Sequence, residues 1–213
     1  ADMSILLPPA RKQPPPSSLH KMERQIPRSS FVKKTKSTAE DVHELVFAVQ
    51  QRNLDVLEQK VLELSTPGSA KYLQWMTFEE VGELTSNEEG AAAITSWLES
   101  SGANVVKTTK HKDYITATAP IAVWESLLDT SFFEWEDLTK SSLRSKKMNL
   151  NSNNNDKKKD RNVIHRAEEY SIPVELKSHV FCVFNTVQTP PPYKPSYHRK
   201  VPFKTNLRMR VKD

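Results

Sequence analysis

The stretch from His43 to Trp135 limits the possible folds most, because it switches between the two-residue apolar period of strands and the longer period of helices. From Glu44 to Gln50, apolar side chains occupy both sets of alternating positions, which predicts an interior strand. Asn53 is a good N-cap for the apolar helical stripe that follows, and the turn residues at 65–68 predict where that helix ends. The stripe consists of Leu54, Leu57, Val61 and Leu64.

Two further helices are predicted by capping boxes, in which a Ser or Thr is followed three residues later by a Glu. One box is Thr77–Glu80; the other, Ser86–Glu89, begins a longer helix that Gly102 is suited to end. The later predicted elements are paired strands at 104–109 and 113–118, a helix from Pro120 and an aromatic-rich strand over Ser131–Glu136. The resulting order is β-α-β-β-α-β. It predicts an α+β, ferredoxin-like antiparallel sheet with its helices on one face.

Proline-rich and polar low-complexity runs divide the 213 residues into folded and extended parts. Residues 1–40 lack sustained periodicity and are predicted to be a disordered basic N-terminal segment. The folded domain is predicted at 41–188, with a disordered polar insertion at 140–161. The parts predicted after the insertion are an edge strand over 163–170, a short helix over 171–180 and an extended basic linker over 189–213.

Charge is distributed unevenly along the chain, whose net charge is +5. The segments 1–40, 140–161 and 189–213 together carry 17 more positive than negative charges, which leaves −12 for the rest. Because the predicted core is acidic, the basic balance of the whole chain does not by itself indicate nucleic-acid binding. Solvated linkers account for the basic segments, and basic interaction tails are the alternative.

No residue set suited to catalysis, cofactor binding or metal binding is found, so none is predicted. Glu125 and Asp129 lie four residues apart, but without a nucleophile pattern they are interpreted as an ordinary helix face. Cys182 lies three residues from His179 in an apolar stretch, which indicates a buried inert thiol rather than a nucleophile. A single cysteine also excludes an intrachain disulfide.

Neighbouring carboxylates suggest a response to acid. Like charges at Glu79/Glu80, at Glu88/Glu89 and in the 134–137 run are expected to raise some carboxyl pKa values. That repulsion would destabilise the isolated domain at neutral pH, whereas carboxylates paired with a partner protein would lose binding on protonation. We expect the second effect to dominate; solvated Glu side chains without such a role are the alternative.

Five aromatic side chains could either stack on nucleic-acid bases or pack in a core. The glycine-containing pattern of RNA-recognition motifs is absent and the surrounding stretch is acidic, so core packing is favoured. Any aromatic side chain exposed on the sheet is expected to anchor a partner protein. The five are Trp97, Trp124, Phe132, Phe133 and Trp135.

The run ELVFAVQQRNLDVLEQKVLELSTPGSAKYLQWMTFEEV resembles the activation domain of sedolisin-type serine peptidases, and most of all that of the tripeptidyl-peptidase I branch. Members of that family show a strand, an Asn-headed helix and a Ser-Asp-Pro…Lys-Tyr-Leu-Thr segment. Here that segment is Ser65-Thr66-Pro67 and Lys71-Tyr72-Leu73-Gln74, so Thr66 replaces the usual Asp. Further matches are Ile94-Thr95-Ser96-Trp97-Leu98 and Tyr170-Ser171-Ile172-Pro173, and the resemblance covers roughly 43–188.

The resemblance implies a fold like that of subtilisin propeptides and a role as propeptide. Such a propeptide would assist the folding of its peptidase, block the active-site cleft and be removed autocatalytically in an acidic compartment, with cleavage within 190–213. The implied partner is a sedolisin catalytic domain, in cis or in trans, with no nucleic acid and no membrane. The implied location is the secretory pathway, outside the cell or in a lysosome- or vacuole-like compartment, although the first residues show no signal-peptide pattern.

The Ser-Gly-Thr-Ser motif of sedolisin catalytic domains does not occur in these residues, so the chain itself is not expected to be an enzyme. Calcium is expected, by the same resemblance, only in the catalytic domain that the linker would lead to. Two alternatives belong to other classes of protein. One is a stand-alone, trans-acting protease inhibitor, and the other is a nucleic-acid-binding module with basic tails.

Overall fold

The computed structural model describes residues 18–26, 28–138 and 163–191. The predicted insertion at 140–161 and most of the predicted linker therefore lie outside the described residues. In chain order, the elements are β1 (Leu19–Arg24), β2 (Phe31–Lys36), β3 (Val42–Val49), α1 (Leu54–Ser65), α2 (Phe78–Thr85), α3 (Glu88–Ser100), β4 (Asn104–Thr108), β5 (Tyr114–Pro120), α4 (Ile121–Leu127), β6 (Phe132–Asp137), β7 (Val163–Ala167), β8 (Glu169–Pro173), a 3-10 helix (Val174–Leu176) and β9 (Val180–Phe184).

Four of the strands form the predicted ferredoxin-like sheet. Their order is β4-β5-β3-β9, and each neighbouring pair is antiparallel. Helices α1, α2 and α3 connect β3 to β4, and α4 follows β5. The path through this sheet is thus β-α-β-β-α-β, and the predicted α+β class is confirmed.

The main core lies between this sheet and helices α3 and α4. Inward positions alternate along β3, where Leu45, Phe47 and Val49 are buried. Trp124 of α4 is also fully buried, and its Nε1 donates to the backbone carbonyl of His43 at 2.9 Å, which satisfies the polar atom of the indole. Burying a large apolar side chain in this way contributes roughly 1.5–3 kcal/mol. The helix side chains packed in the same core include Ala91, Ile94, Leu98, Ile121 and Leu128.

The predicted fourth strand, Ser131–Glu136, is extended but does not belong to this sheet. It corresponds to β6, the middle strand of a separate three-stranded antiparallel sheet in the order β2-β6-β7. The fourth place is taken by β9, which pairs with the second edge of β3 through Val46 opposite Phe184. Alternating side chains indicate that a segment is extended, whereas its partner strand is decided by contacts far away in sequence.

The short helix predicted over 171–180 is wrong for most of its length. Residues up to Pro173 belong to β8, which pairs with β1, and only Val174–Leu176 form a 3-10 turn before β9. Proline disfavours the helical conformation of the residue before it, which keeps Ile172 extended. The edge strand predicted over 163–170 is confirmed in β7, which lies at one edge of the three-stranded sheet.

The prediction that residues 1–40 are disordered is wrong for β1 and β2. Strand β2 pairs with β6, and its lysines form ion pairs with acidic residues that lie far away in sequence. The acidic charge that the sequence places in the core therefore neutralises the basic N-terminal strands, whose low hydrophobicity conceals them from a search for periodicity. These pairs are Lys33–Glu168 at 3.0 Å, Lys34–Glu136 at 2.8 Å and Lys36–Glu125 at 3.1 Å.

Helix ends follow the predictions with two departures, of which the first is that the Asn53 side chain makes no capping hydrogen bond to α1. Thr77 and Glu80 make both hydrogen bonds of the capping box of α2. In the second predicted box, however, the N-cap is Asn87 rather than Ser86, because the Asn87 Oδ1 accepts the hydrogen bond from the backbone N–H of Gly90 at 3.0 Å. Gly102, which follows α3, has the positive φ that its predicted role requires.

Removing β1 tests whether the N-terminal region is part of the folded unit. We expect a chain of residues 27–213 to have a free energy of unfolding about 1–3 kcal/mol below that of residues 18–213. The reason is that each cross-strand pair lost between β1 and β8 contributes about 0.2–1 kcal/mol. Urea denaturation of the two chains measures the difference, and equal midpoints would contradict a structural role for β1.

Candidate functional site

One face of the four-stranded sheet packs against the core helices, and the opposite face exposes aromatic side chains. Tyr114 of β5 and Phe184 of β9 are 41% and 40% exposed, and their ring centroids are 6.3 Å apart. They approach each other across β3, where the opposite positions are Ala48 and Val46. The small Ala48 side chain leaves room for this contact. We call Val46, Tyr114 and Phe184 the open sheet face.

A second exposed apolar surface lies on α1, α2 and the segment between them. Of the stripe predicted for α1, only Leu64 is buried, whereas Leu54 and Val61 are each 46% exposed. Helix α1 lies beside α2, where the Asn53 Nδ2 donates to the Leu84 carbonyl at 2.8 Å instead of capping α1. The exposed side chains of this α1–α2 surface are Leu54, Val61, Leu62, Tyr72, Leu73, Trp75 and Phe78.

The turn between β4 and β5 holds α2 in place. The His111 ring lies so close to Gly82 that a Cβ on this glycine would be 2.3–2.4 Å from ring atoms. The Phe78 ring meets the His111 ring edge-on, with centroids 4.8 Å apart. Ion pairs flank this contact, with Lys110 Nζ 2.8 Å from a Glu79 carboxylate oxygen and Lys112 bound to α3. The position of α2, and with it the exposed Phe78, therefore depends on this turn.

The carboxylates of these helices do not behave as their spacing predicts. A hydrogen bond from Lys110 lowers the pKa of Glu79, the backbone N–H of Thr77 lowers that of Glu80, and Arg52 lowers that of Glu89. In each case a donor or cation outweighs the neighbouring like charge. The predicted rise in pKa is therefore wrong for these three groups. Because their pKa values are lowered, their ionised forms stabilise the fold above the ordinary pKa of Glu, and this stabilisation is lost as the pH falls below it.

The residues considered for catalysis have structural partners. One oxygen of Glu125 accepts a hydrogen bond from the Phe132 backbone N–H at 2.8 Å, and the other pairs with Lys36. Burial raises the pKa of Cys182 to about 11, so the thiol stays protonated. Among the described residues, no group of three or more His, Cys, Asp or Glu side chains is placed to hold a metal ion. Within the same ranges, no helix has the length and apolarity needed to cross a bilayer.

Packing accounts for the aromatic cluster that the sequence offered as a stacking platform. Trp124, Phe132 and Trp135 are buried, and Trp97 packs against the core. Phe133 is half-buried, with the ammonium group of Lys33 3.5 Å from its ring centroid. The exposed sheet aromatics are instead Tyr114 and Phe184.

Sequence reasoning missed one buried cluster, where β3, β7 and the residues after β9 meet. The ring of His43 is 5.9 Å from the ring of His165, measured between centroids. The guanidinium of Arg166, which is 7% exposed, donates to the Asn185 Oδ1 at 3.2 Å. More than a hundred residues separate His43 from the other members, so no local spacing could have predicted the cluster.

Comparison with known proteins agrees with this fold. Residues 28–189 match the family described as pro-kumamolisin, activation domain. The chain belongs to this family. The match includes β2, which the predicted domain boundary at 41 had excluded. The resemblance to the activation domain, or propeptide, of sedolisin-type serine peptidases is thereby confirmed.

Individual relatives support the same assignment. Physarolisin from Physarum polycephalum is 32% identical over 165 residues, which are 76% of this chain and 25% of physarolisin. A probable tripeptidyl-peptidase SED3 from Trichophyton verrucosum is 28% identical over 148 residues, 69% of this chain and 22% of that protein. Tripeptidyl-peptidase 1 from Dictyostelium discoideum is 33% identical over 90 residues, 42% of this chain and 15% of that protein. The chain thus spans a quarter or less of these relatives.

Replacing Gly82 tests the contact between the β4–β5 turn and α2. Gly82→Ala should lower the free energy of unfolding by about 1–3 kcal/mol, because the new Cβ overlaps the His111 ring. In a His111→Ala background, the same change should raise stability by up to about 1 kcal/mol, because alanine favours a helix more than glycine does. Thermal or urea unfolding of the four proteins gives this cycle, and an equal effect of Gly82→Ala in both backgrounds would exclude the contact.

Proposed function

We propose that this chain is the propeptide of a sedolisin-type, tripeptidyl-peptidase-like acid serine peptidase. It assists the folding of the catalytic domain, blocks the active-site cleft and is removed by acid-triggered autoprocessing. The observation that carries the proposal is the open sheet face, an exposed aromatic surface on the fold of an activation domain. Membership in that family makes a catalytic domain the partner that such a surface would meet.

The open sheet face has the properties of a protein-binding surface. Tyr114 and Phe184 are aromatic, and aromatic side chains are enriched among the residues that dominate binding energy. Their strands flank β3, which is paired on both edges, so the two side chains are held in place before a partner arrives. Binding then costs less conformational entropy than the ordering of a loop would.

The position of this face also suits a propeptide. Strand β9 ends at Phe184, five residues before the predicted linker begins at Thr189. A catalytic domain bound at the open sheet face would therefore lie close to the start of the linker at 189–213. We propose that this linker enters the active-site cleft, where the short tether would give it a high effective concentration.

The chemistry of processing belongs to the catalytic domain in this proposal. The 213 residues contain no Ser-Gly-Thr-Ser, and the described residues do not offer a set of ligands for calcium. We therefore place the nucleophile and any calcium in the partner. The compartment that fits is an acidic one in the secretory pathway, a lysosome or vacuole, or the space outside the cell.

Binding to a sedolisin catalytic domain tests the proposal. The probe is the catalytic domain of physarolisin, made catalytically inactive at its serine and separated from its own activation domain. At pH 7 we expect a 1:1 complex by calorimetry, which Tyr114→Ala or Phe184→Ala weakens at least tenfold because exposed aromatic anchors dominate such interfaces. Affinity should also fall from pH 7 to pH 4, as carboxylates paired with the partner become protonated.

Phe78→Ala is the matched control, because Phe78 is 69% exposed but lies on the α1–α2 surface. If Phe78→Ala weakens binding while Tyr114→Ala and Phe184→Ala do not, the open sheet face is not the docking surface. An affinity that stays constant from pH 7 to 4 would contradict acid-triggered release. Absence of binding, combined with salt-sensitive RNA binding by the same chain, would favour the nucleic-acid-binding alternative.

A further inference from the structure

The segment through which the chain leaves the domain is held by a histidine on the central strand. We call residues 185–189, which follow β9, the exit segment. The Nε2–H of His43 donates to the Asn185 carbonyl at 3.0 Å, and Arg166 of β7 donates to the side chain of the same asparagine. Asn185 has a φ of 68°, a left-handed conformation that asparagine tolerates better than most residues.

Strand β7 holds the exit segment at two further points. The Arg166 Nε donates to the Gln188 carbonyl at 2.6 Å, and the backbone N–H of Ala167 donates to the Thr186 carbonyl at 2.8 Å. Thr186 is completely buried. The exit segment therefore contacts both β3, through His43, and β7, through Arg166 and Ala167.

The environment of His43 opposes a positive charge. Burial is the main reason that its pKa is lowered to about 4, and the positive charges of Arg166 and His165 act in the same direction. The Asn185 carbonyl favours the charged ring, but burial outweighs it. Aromatic contact with Phe132 of β6, at 5.5 Å between ring centroids, covers another side of the ring.

Several carboxylates on the surrounding elements have hydrogen-bond or ion-pair partners, and one lies on another face of the sheet. Glu125 of α4 pairs with Lys36 of β2, and Glu134 of β6, opposite His165 in the pairing with β7, accepts a hydrogen bond from Thr35. On β3 itself, Glu44 alternates with His43 and projects from the opposite face. The remaining acidic residues along these elements are Glu40, Asp41, Glu136 and Asp137, with Glu23 of β1 bound to Gln188.

We propose that the His43–His165–Arg166 cluster is an acid-sensitive latch, which holds β7 and the exit segment against β3 near neutral pH and releases them when His43 takes up a proton. A protonated His43 would add a positive charge beside the buried guanidinium of Arg166, and the interaction with His165 opposes that charge as well. Separation of β7 from β3 lets water reach all three groups and relieves this repulsion. The part of the fold that loosens is the part leading to the linker. Its use in activation rests on the proposed function, whereas the latch is a property of this chain alone.

The sign of the pH effect follows from the lowered pKa. Between the ordinary value of 6.5 and about 4, the unfolded chain binds the His43 proton and the folded chain does not. Stability must therefore fall as pH falls through this window. From pH 7 to pH 5, this one group should reduce the folding equilibrium constant about twentyfold. That range lies above the ordinary pKa of Asp and Glu, which keeps most carboxylates out of the comparison.

The test uses the complete 213-residue chain without any peptidase, so its result is independent of whether the proposed function holds. Urea denaturation at pH 7 and pH 5 measures how far the folding equilibrium constant falls between the two pH values, for the wild type and for His43→Gln. Each protein is compared only with itself. The fall in the folding equilibrium constant from pH 7 to pH 5 should be about twentyfold smaller for the variant than for the wild type. His20→Gln, which removes a histidine from β1, is the control and should keep the wild-type loss.

Two measurements on the folded wild type keep the latch testable if His43→Gln does not fold. In NMR with labelled histidine, the His43 ring should titrate near pH 4, and His165→Gln should move this titration upward by removing one cation. In hydrogen exchange, corrected for the chemical rate, the Ala167 amide should lose protection from pH 7 to 5 while the β3–β5 ladder keeps it. Titration of His43 at pH 6–7, or equal loss of protection in both places, would overturn the proposal.

Discussion

Strand β3 is the element on which the other parts of the structure depend, because it is hydrogen-bonded along both edges. One edge pairs with β5 over seven residue pairs and the other with β9, so β3 joins the hairpin to the end of the domain. Its inward side chains, Leu45 and Phe47, form the centre of the core, while Val46 and Ala48 lie beneath the exposed aromatic rings. His43, at its beginning, contacts the second sheet. The core packing, the proposed docking surface and the proposed latch therefore all depend on a single strand.

The strand pairing shows that part of the basic N-terminal segment is not a solvated tail but pairs with acidic residues of the folded domain. The sequence separates a basic N-terminal segment from an acidic core, which is also what a solvated tail on an acidic domain would look like. In the structure, Lys33, Lys34 and Lys36 pair with acidic residues about 90 or more positions away in sequence. Single exposed ion pairs of this kind contribute only about 0–1 kcal/mol, so their main effect is to allow a polar strand such as β2 to lie beside β6 at little cost.

Local patterns predicted the local features of this chain well. The capping box at Thr77 and the positive φ of Gly102 depend on neighbours within a few residues, and both could be predicted from the sequence. The identity of the fourth strand of the sheet could not, because β6 and β9 are both apolar enough to be strands and only tertiary pairing decides which of them joins β3. The same limit applies to the candidate site. Any aromatic exposed on the sheet was expected to anchor a partner, but whether Phe184 is exposed depends on the register of β9, and the His43 cluster depends on the packing of β7.

Strand β9 links the proposed docking surface to the proposed latch. Its last residue, Phe184, belongs to the open sheet face, and the next, Asn185, accepts hydrogen bonds from both His43 and Arg166. A partner that binds the open sheet face requires β9 to stay on β3, and so it favours the state in which His43 is neutral. Linkage makes this relation reciprocal, since protonation of His43 must then weaken binding by the same factor. The pKa of His43 is lowered from 6.5 to about 4, and this difference corresponds to a free energy of about 3 kcal/mol. A tenfold change in affinity corresponds to about 1.4 kcal/mol, so the effect is large in comparison. A single buried histidine could thus supply much of the acid response that the carboxylate clusters were expected to give.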